Sequence, residues 1–399
     1  MTNRISYIII TLILMASCVS PYYPNITKYE SILVVDGMIT NLTGPYNIKL
    51  SRTFKYDGHV GDFVTGANIK IIDNTGVEIQ LKEIKTGEYS TVDTLFHGIP
   101  GRSYKLQIKI GDDLFESNYE VIKPPIPIDK LNWEYKAQDG DGPKRIQLLL
   151  DTHDPTNNTR YYGWEYIETW KFQVPVDVSL KPEWKTCFQN NSSSFININS
   201  TIERNKDIIE KMDFLNINES SNKLYIRYSI LAKQYSFSEQ TYKFIADLKN
   251  LNQNQGTLFD VTPYSIISNI KCINNKNIPV VGYFIVAGAT EKRIFIDRSE
   301  LPKTYNPTNG FNDCSSYILF VDPNIKDYRL NQKYDSLSRQ GYSIYDTLHV
   351  LTCKEPLPPA GVQCTQVPAI QLFLAKSRCF NCTLTGESKI PNFWKEKNN

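Results

Sequence analysis

The chain has 399 residues, of which 44 are lysine or arginine and 42 are aspartate or glutamate, so its net charge is only +2. A chain this close to neutrality offers no electrostatic attraction for nucleic acid, whose phosphates select basic surfaces. Aromatic residues make up 12 % of the chain, with 25 tyrosines and 18 phenylalanines, and this composition favours β-sheet over helix bundles. The length exceeds what one small core can hold, so it predicts two domains or one large domain with additions.

Residues 1–17 have the layout of a bacterial secretory signal. An arginine near the start is followed by an almost unbroken apolar run from Ile5 to Ala16, then by Ser17-Cys18. The run is too short to span a bilayer, which needs roughly 20 helical residues. A cysteine after two small residues resembles the site of lipoprotein signal peptidase, so we expect cleavage after residue 17 and acylation of Cys18. The alternative is an ordinary secretory signal, after which Cys18 would pair in a disulfide.

The next part of the chain predicts a small β-sandwich. A short tether over residues 18–28 leads into a domain over residues 29–123, where turn formers recur every eight to twelve residues, roughly as in other sandwiches. Residues 103–110 alternate strictly between polar and apolar side chains, which indicates a half-buried strand. Residues 124–129 contain three prolines, so they predict a stiff joint between domains.

Residues 130–301 predict a larger β-rich domain that contains at least one helix. The helix is expected near 237–253, because Ser236-x-x-Glu239 has the spacing of a capping box and apolar residues then recur on one helical face. Residues 302–399 show little periodicity, so we expect an irregular, cysteine-rich extension packed on the second domain. The fold class is therefore mainly β, with a small sandwich followed by the larger domain.

Seven cysteines follow Cys18, and four of them lie in the last fifty residues: Cys353, Cys364, Cys379 and Cys382. In an exported protein the compartment favours disulfides, so these four are disulfide candidates, with their pairing left open. Zinc is the rival hypothesis, because Cys379-x-x-Cys382 has a ligand spacing. The gap between Cys353 and Cys364 lacks the second close pair of a zinc ribbon, and we predict no metal site.

An aromatic face marks the stretch from Tyr161 to Phe172. The side chains on this face are Tyr162, Trp164, Tyr166, Glu168, Trp170 and Phe172. In one interpretation the rings stack on sugar or peptide groups, which makes Trp164, Glu168, Trp170 and Arg227 ligand-binding candidates. In the other, the rings fill a sandwich core and Glu168 is paired inside it, with Arg227 as its expected partner. The core interpretation predicts that Glu168→Ala lowers stability rather than ligand binding.

Known catalytic patterns do not occur in the sequence. The four histidines lack the spacing of a zinc-protease helix, and there is no G-x-S-x-G, P-loop or G-x-G-x-x-G motif. Asp151-x-x-Asp154 and the two asparagines after it are rich in oxygen ligands, but they lack the alternating ligands of a calcium loop and predict a turn. We therefore predict no catalytic residue, no metal and no cofactor.

Several segments, in order along the chain, resemble the Bacteroidota family called domain of unknown function 4249. They are Leu33 to Asn41, Gly44-Pro45-Tyr46, Leu50 to Thr53, Gly66 to Ile69, Tyr161-Tyr162-x-Trp164 with Glu168-x-Trp170, Arg227 to Ile230, Gly256 to Asp260, Val281 to Phe284, Arg293 to Asp297, and Cys379-x-x-Cys382 with Pro391-x-Phe393-Trp394. Ser268-Asn269-Ile270 departs from the Gly-Asn-Ile that the family tends to show. The resemblance implies an outer-membrane lipoprotein, a transthyretin-like or fibronectin-like first domain, and no established activity.

The resemblance also implies a partner, because such lipoproteins are often found alongside a TonB-dependent transporter. We expect a non-catalytic accessory that captures a ligand or covers the channel, anchored by lipid to the outer membrane on a side left open. One alternative is a hydrolase of glycans or peptides whose carboxylates meet in a cleft: Asp151, Asp154, Glu165 or Glu168. A second alternative is an adhesive or scaffold lipoprotein.

Overall fold

The computed structural model describes residues 31–53, 62–137, 142–177, 181–193, 196–253, 268–321, 328–353 and 366–396. The expected signal sequence, Cys18 and the tether lie outside these residues. Strands make up 50 % of the structure and helices 11 %, so the predicted mainly β class is confirmed. Within the described ranges, no helix is both long enough and apolar enough to cross a bilayer.

The first sandwich encloses a core of alternating apolar side chains. Its strands are β1 (Leu33–Thr40), β2 (Asn47–Arg52), β3 (Asn68–Asp73), β4 (Glu78–Lys85), β5 (Glu88–Thr91), β6 (Ser103–Ile110), β7 (Asp113–Ser117) and β8 (Glu120–Val121). In β6, Tyr104, Leu106 and Ile108 are buried while the residues between them are partly exposed. The strand has the same bounds as the alternating pattern in the sequence, so period-two patterning predicts this element fully.

The second sandwich packs one end of a 14-stranded sheet, which continues into the first sandwich, against a separate three-stranded sheet. Its elements are β9 (Ile128–Lys136), β10 (Arg145–His153), β11 (Tyr161–Gln173), β12 (Thr186–Ser192), β13 (Asn197–Ser200), which pairs with β11, β14 (Ile208–Asn218), β15 (Arg227–Ser236) and helix α1 (Glu239–Gln253). The chain then returns to the first sandwich through β16 (Ile270–Cys272) before β17 (Val280–Asp297). Strands run in the order β12-β11-β15-β17 and, in the facing sheet, β14-β10-β9. Side chains from both sheets share one core.

A single long strand, β17, belongs to both sandwiches. Its first half pairs in parallel with β1, from Leu33↔Val280 to Thr40↔Ala287, and its second half pairs antiparallel with β15. Strand β16 also pairs with β7 of the first sandwich. The first core therefore includes residues from 270 to 286, and the predicted boundary at residue 123 does not separate two independent units. Parallel pairing between strands so far apart leaves no local pattern in the sequence.

Two glycines of β17 allow the close approach of other backbone. Gly282 has φ +108°, and a Cβ atom there would lie 1.9 Å from the carbonyl oxygen of Val35. A Cβ atom at Gly288 would lie 2.2 Å from the carbonyl oxygen of Lys123, at the start of the proline-rich joint. These positions need glycine because no side chain fits between the strands.

The proline-rich joint is fastened to the second sandwich. The carbonyl oxygen of Ile126 accepts hydrogen bonds from Gln234 at 2.8 Å and from Thr290 at 2.7 Å. Ile126 itself is buried in the second core. Strand β9 begins at Ile128, inside the predicted joint over 124–129, because the chain resumes pairing directly after the last proline.

Helix α1 ends at the predicted residue, but its start differs from the prediction. Ser236 is the last residue of β15, and Ser238 is the capping residue instead. The Oγ atom of Ser238 accepts the backbone N–H of Thr241 at 3.1 Å. The expected capping box at Ser236 is therefore wrong, because β15 extends to Ser236 and the helix begins at Glu239, two residues later than predicted.

The carboxyl-terminal extension is more regular than the sequence predicts. It contains β18 (Ser316–Val321), helix α2 (Tyr328–Arg339), β19 (Tyr342–Cys353) and β20 (Gln366–Lys376). The three strands form an antiparallel sheet in the order β18-β20-β19. The extension packs on the second sandwich through aromatic contacts, including Phe188 with Trp394 at 4.8 Å between ring centroids. β18 is a short apolar run, which does not distinguish a strand from a segment of buried helix.

Candidate functional site

The aromatic face of β11 lies inside the second sandwich. Trp164 is fully buried and Trp170 is 7 % exposed, and both belong to the core that the two sheets share. The indole nitrogen of Trp164 donates a hydrogen bond to Gln234 at 2.8 Å. These rings contact other core side chains rather than an open surface, as the core interpretation expects.

Glu168 is fully buried and paired, but not with the residue that the sequence suggests. Its carboxylate accepts hydrogen bonds from Lys223 at 2.7 Å, Tyr228 at 2.8 Å and Asn191 at 2.8 Å. Arg227 instead forms an ion pair with Asp297 at 2.5 Å, so the expected Glu168–Arg227 pair is wrong. Neighbouring residues of a strand point to opposite faces, and Tyr228, not Arg227, lies on the face of β15 that meets Glu168.

Asp151 lies in β10, and Asp154, just after the strand, caps a turn over the residues that follow it, as the turn interpretation expects. The Asp154 carboxylate accepts backbone hydrogen bonds from Thr156, Asn158 and Thr159, and a further bond from the Thr156 hydroxyl. Burial alone would raise the pKa of this carboxyl, but the hydrogen bonds outweigh it and hold the pKa below its ordinary value. Across the described ranges, no group of three or more histidine, cysteine or acidic side chains is placed to hold a metal ion.

The cysteines of the extension form disulfides with distant parts of the chain. Cys379 is bonded to Cys314, and Cys382 is bonded to Cys187 in the second sandwich. Both thiols of the Cys379-x-x-Cys382 motif are therefore used in disulfides, which removes the zinc hypothesis for this pair. Of the other two candidates, Cys353 is the last residue of β19. Cys364 lies outside the described residues.

A cleft of about 730 Å³ lies at the junction of the first sandwich, helix α1 and β17. Its polar base is formed by Glu120 of β8, Ser238 and Asn269, and its apolar wall by Phe244 and Tyr283. None of Trp164, Glu168, Trp170 and Arg227, and none of the carboxylates named for a hydrolase, lines this cleft. The cleft is our candidate functional site, and we call it the Glu120 cleft.

Glu120 is held by hydrogen bonds from neutral groups of three different elements. The Tyr283 hydroxyl of β17 donates to one carboxylate oxygen, and Thr241 of α1 donates to the other at 3.0 Å. Asn269 and Ser238 lie at 3.4 Å. Within the part of the chain that the structure describes, Glu120 forms no ion pair. Burial raises the pKa of the Glu120 carboxyl, although these hydrogen bonds oppose the rise.

One face of helix α1 forms a side of the cleft. Gln240, Lys243, Phe244 and Asp247 follow the i, i+3, i+4, i+7 spacing of a single helical face and all line it. The rings of Phe244 and Tyr283 are stacked with centroids 4.6 Å apart. Lys243 is paired with Glu239 at 2.5 Å across one turn of the exposed side of α1.

Sequence reasoning missed this site because its residues are brought together only by the fold. Glu120 belongs to a strand of two residues, which has too few positions to show a pattern. It lies 121 residues from Thr241 and 163 from Tyr283. The sequence offered one signal, Ser268-Asn269-Ile270, where the chain departs from the Gly-Asn-Ile that the family tends to show. In the structure, Asn269 donates a hydrogen bond to the backbone of Phe284 and accepts one from it, and so fixes the base of the cleft.

These features define a mainly β protein with two sandwiches joined through β17, a disulfide-bonded extension, and a cleft at the junction. Residues 19–293 match the family model described as Domain of unknown function (DUF4249), and the chain belongs to this family. The family resemblance seen in the sequence is thereby confirmed. The match includes the residues of the Glu120 cleft and ends before the extension. No curated protein matches the chain.

Proposed function

We propose that the chain is a lipid-anchored accessory protein outside the cytoplasm, which captures a small ligand in the Glu120 cleft and delivers it to a partner transporter in the outer membrane. The observation that carries this proposal is the cleft itself. Its volume of about 730 Å³ falls in the range of small-molecule sites, roughly 300 to 1,000 Å³. It combines an apolar wall with a few convergent polar groups, which is the usual composition of such sites.

Two further observations support the proposed location outside the cytoplasm. Ser17-Cys18 follows a short apolar run at the start of the sequence, as in lipoproteins cleaved before an acylated cysteine. The two disulfides are typical of proteins that fold in an oxidising compartment outside the cytosol. A protein that captures and hands over a ligand needs no acid–base machinery, which agrees with the lack of catalytic motifs in the sequence.

The experiment is a purification of the full-length tagged chain from gently solubilised membranes, with Cys18→Ser as the matched control. We expect the wild-type protein to carry acyl mass on Cys18 and to co-purify with a TonB-dependent barrel. The variant should lose both the acyl mass and the membrane fraction. An intact amino terminus would refute the lipid anchor, and elution of the acylated protein without a barrel would refute the transport role.

A further inference from the structure

The charge balance of the Glu120 cleft is the starting point for its ligand. The four donors around Glu120 are two hydroxyls, a phenol and an amide, which bring no positive charge to the carboxylate. Placing a carboxylate in a partly desolvated site costs free energy unless hydrogen bonds or a cation compensate for the lost water. The first turn of α1 offsets part of this cost through its dipole, but the raised pKa indicates that the charge is not fully compensated.

The other charges of the cleft leave room for one positive group beside Glu120. Lys243 is paired with Glu239 within α1. Among the described residues that line the cleft, Lys123, which follows β8, is the other cation. It makes a second positive charge on the ligand unfavourable, so the balance favours a singly charged cation over a polyamine.

The apolar wall indicates what the rest of the ligand is made of. Phe244 and Tyr283 present a stacked aromatic pair beside the carboxylate, and Tyr119 lines the opening with 48 % of its surface exposed. Aromatic faces attract ammonium groups and also pack against hydrocarbon. A carboxylate beside aromatic rings suits a primary amine with an apolar body.

We infer that the Glu120 cleft binds an organic ammonium ion, with Glu120 as the anionic partner and the Phe244–Tyr283 pair as the wall for its apolar part. This inference rests on the proposed ligand-capture function. When the ammonium group binds, a protonated Glu120 gives its proton to solvent, and an ion pair replaces a neutral carboxyl. Binding therefore tightens as the pH rises through the pKa of Glu120.

The groups that face Glu120 determine how cleanly this proton release can be observed. They are Tyr283 from β17, Lys123 after β8, and Lys243 and Asp247 from α1, while Ser268 and Asn269 are neutral. Tyrosine and lysine titrate well above the ordinary range of a carboxyl. The measurement must therefore assign the proton to Glu120 rather than to Asp247, and the variant Glu120→Gln does so.

The test is calorimetric titration of the full-length protein in detergent with benzylammonium, benzyl alcohol and benzoate, which share one ring and differ in charge. We expect saturable binding of benzylammonium at least tenfold tighter than that of the other two, with proton release into the buffer at pH values below the pKa of Glu120. Glu120→Gln should weaken benzylammonium binding at least tenfold and abolish the proton release. Glu116→Gln is the matched control, because Glu116 is paired with Lys105 outside the cleft and should bind as the wild type does.

A second variant separates ligand binding from any effect of Glu120 on folding. Lys123→Gln removes the competing positive charge, and we expect it to tighten benzylammonium binding several-fold. Equal or tighter binding of benzyl alcohol or benzoate would overturn the cation assignment while leaving ligand capture in place. Failure of benzylammonium to saturate, or an unchanged affinity in Glu120→Gln, also overturns it. The lipid anchor and the barrel are tested separately by the membrane purification.

Discussion

Lys223 reaches into the second sandwich and places its ammonium nitrogen 2.7 Å from a carboxylate oxygen of Glu168. The Lys223 side chain is 24 % exposed, whereas that of Glu168 is fully buried. The ammonium group also lies 5.3 Å from the centroid of the Trp170 ring. Glu168 is thus a structural carboxylate. Its charge is paired with that of Lys223, whose side chain extends from the surface toward the core.

Replacing Glu168 with alanine should destabilise the protein. Lys223, Tyr228 and Asn191 would all lose an acceptor, so we expect a loss of about 3 kcal/mol in the free energy of unfolding. Urea unfolding measures it. In the control Glu165→Ala, a half-buried carboxylate loses one hydrogen bond from Tyr235, and about 1 kcal/mol is expected. An unchanged urea midpoint for Glu168→Ala would contradict the structural role.

Gly282→Ala tests the parallel pairing of β1 with β17. The new Cβ atom would meet the Val35 carbonyl oxygen at 1.9 Å, and alanine is strained at φ +108°, so we expect a loss of about 3 kcal/mol or more. The control is Gly111→Ala, where φ is +59° and nothing lies within 4 Å of the new atom. It should cost about 1 kcal/mol. Equal thermal unfolding of the two variants would argue against the close contact.

The disulfide between Cys187 and Cys382 should contribute strongly to stability, because its cysteines are 195 residues apart in sequence. Replacing both with serine is expected to cost about 4 kcal/mol and to increase proteolysis of the extension. Mass spectrometry of unreduced peptides checks the pairing directly. The expected cross-linked peptides join Cys187 to Cys382 and Cys314 to Cys379. A peptide joining Cys379 to Cys382 would show that the pairing is wrong.

The raised pKa of Glu120 predicts how stability depends on pH. The folded state holds this proton more tightly than the unfolded state, in which the pKa of Glu120 is near 4.5. The contribution of the bound proton to the free energy of unfolding is therefore complete below pH 4.5. It is lost as the pH rises through the folded pKa. Glu120→Gln cannot lose a proton, so its stability should rise relative to that of the wild type as the pH rises above 4.5. A difference in unfolding free energy that stays constant with pH would refute the shift.

Elements with strong local patterns are the ones that sequence reasoning predicts. The period-two pattern of 103–110 has the bounds of β6, and the aromatic face of β11 occupies the core. Local patterns do not contain the pairing of distant segments. The alternation of β15 shows that Arg227 and Tyr228 face opposite sides, but the sequence does not show which side meets Glu168.

The Glu120 cleft was unpredictable for the same reason. In the sequence, Glu120 resembles an ordinary surface residue, because its strand has only two residues. Only the fold brings α1, β16 and β17 around it. The disulfide partners were likewise open, because any two cysteines are equivalent until the backbone brings them together. The residue types predicted that disulfides and a buried carboxylate pair would form. The topology of the fold determined which residues form them.

The pairing of β1 with β17 joins two strands that are synthesised far apart in time. Asn41, at the end of β1, exchanges hydrogen bonds with Ala289, which follows 248 residues later. Strand β1 therefore cannot complete its pairing until β17 has been synthesised. Closing so long a loop is a slow step in folding. A fragment ending at residue 268 would contain strands β1 to β15 and helix α1 and still leave one edge of β1 open, ready to pair with a second copy of itself.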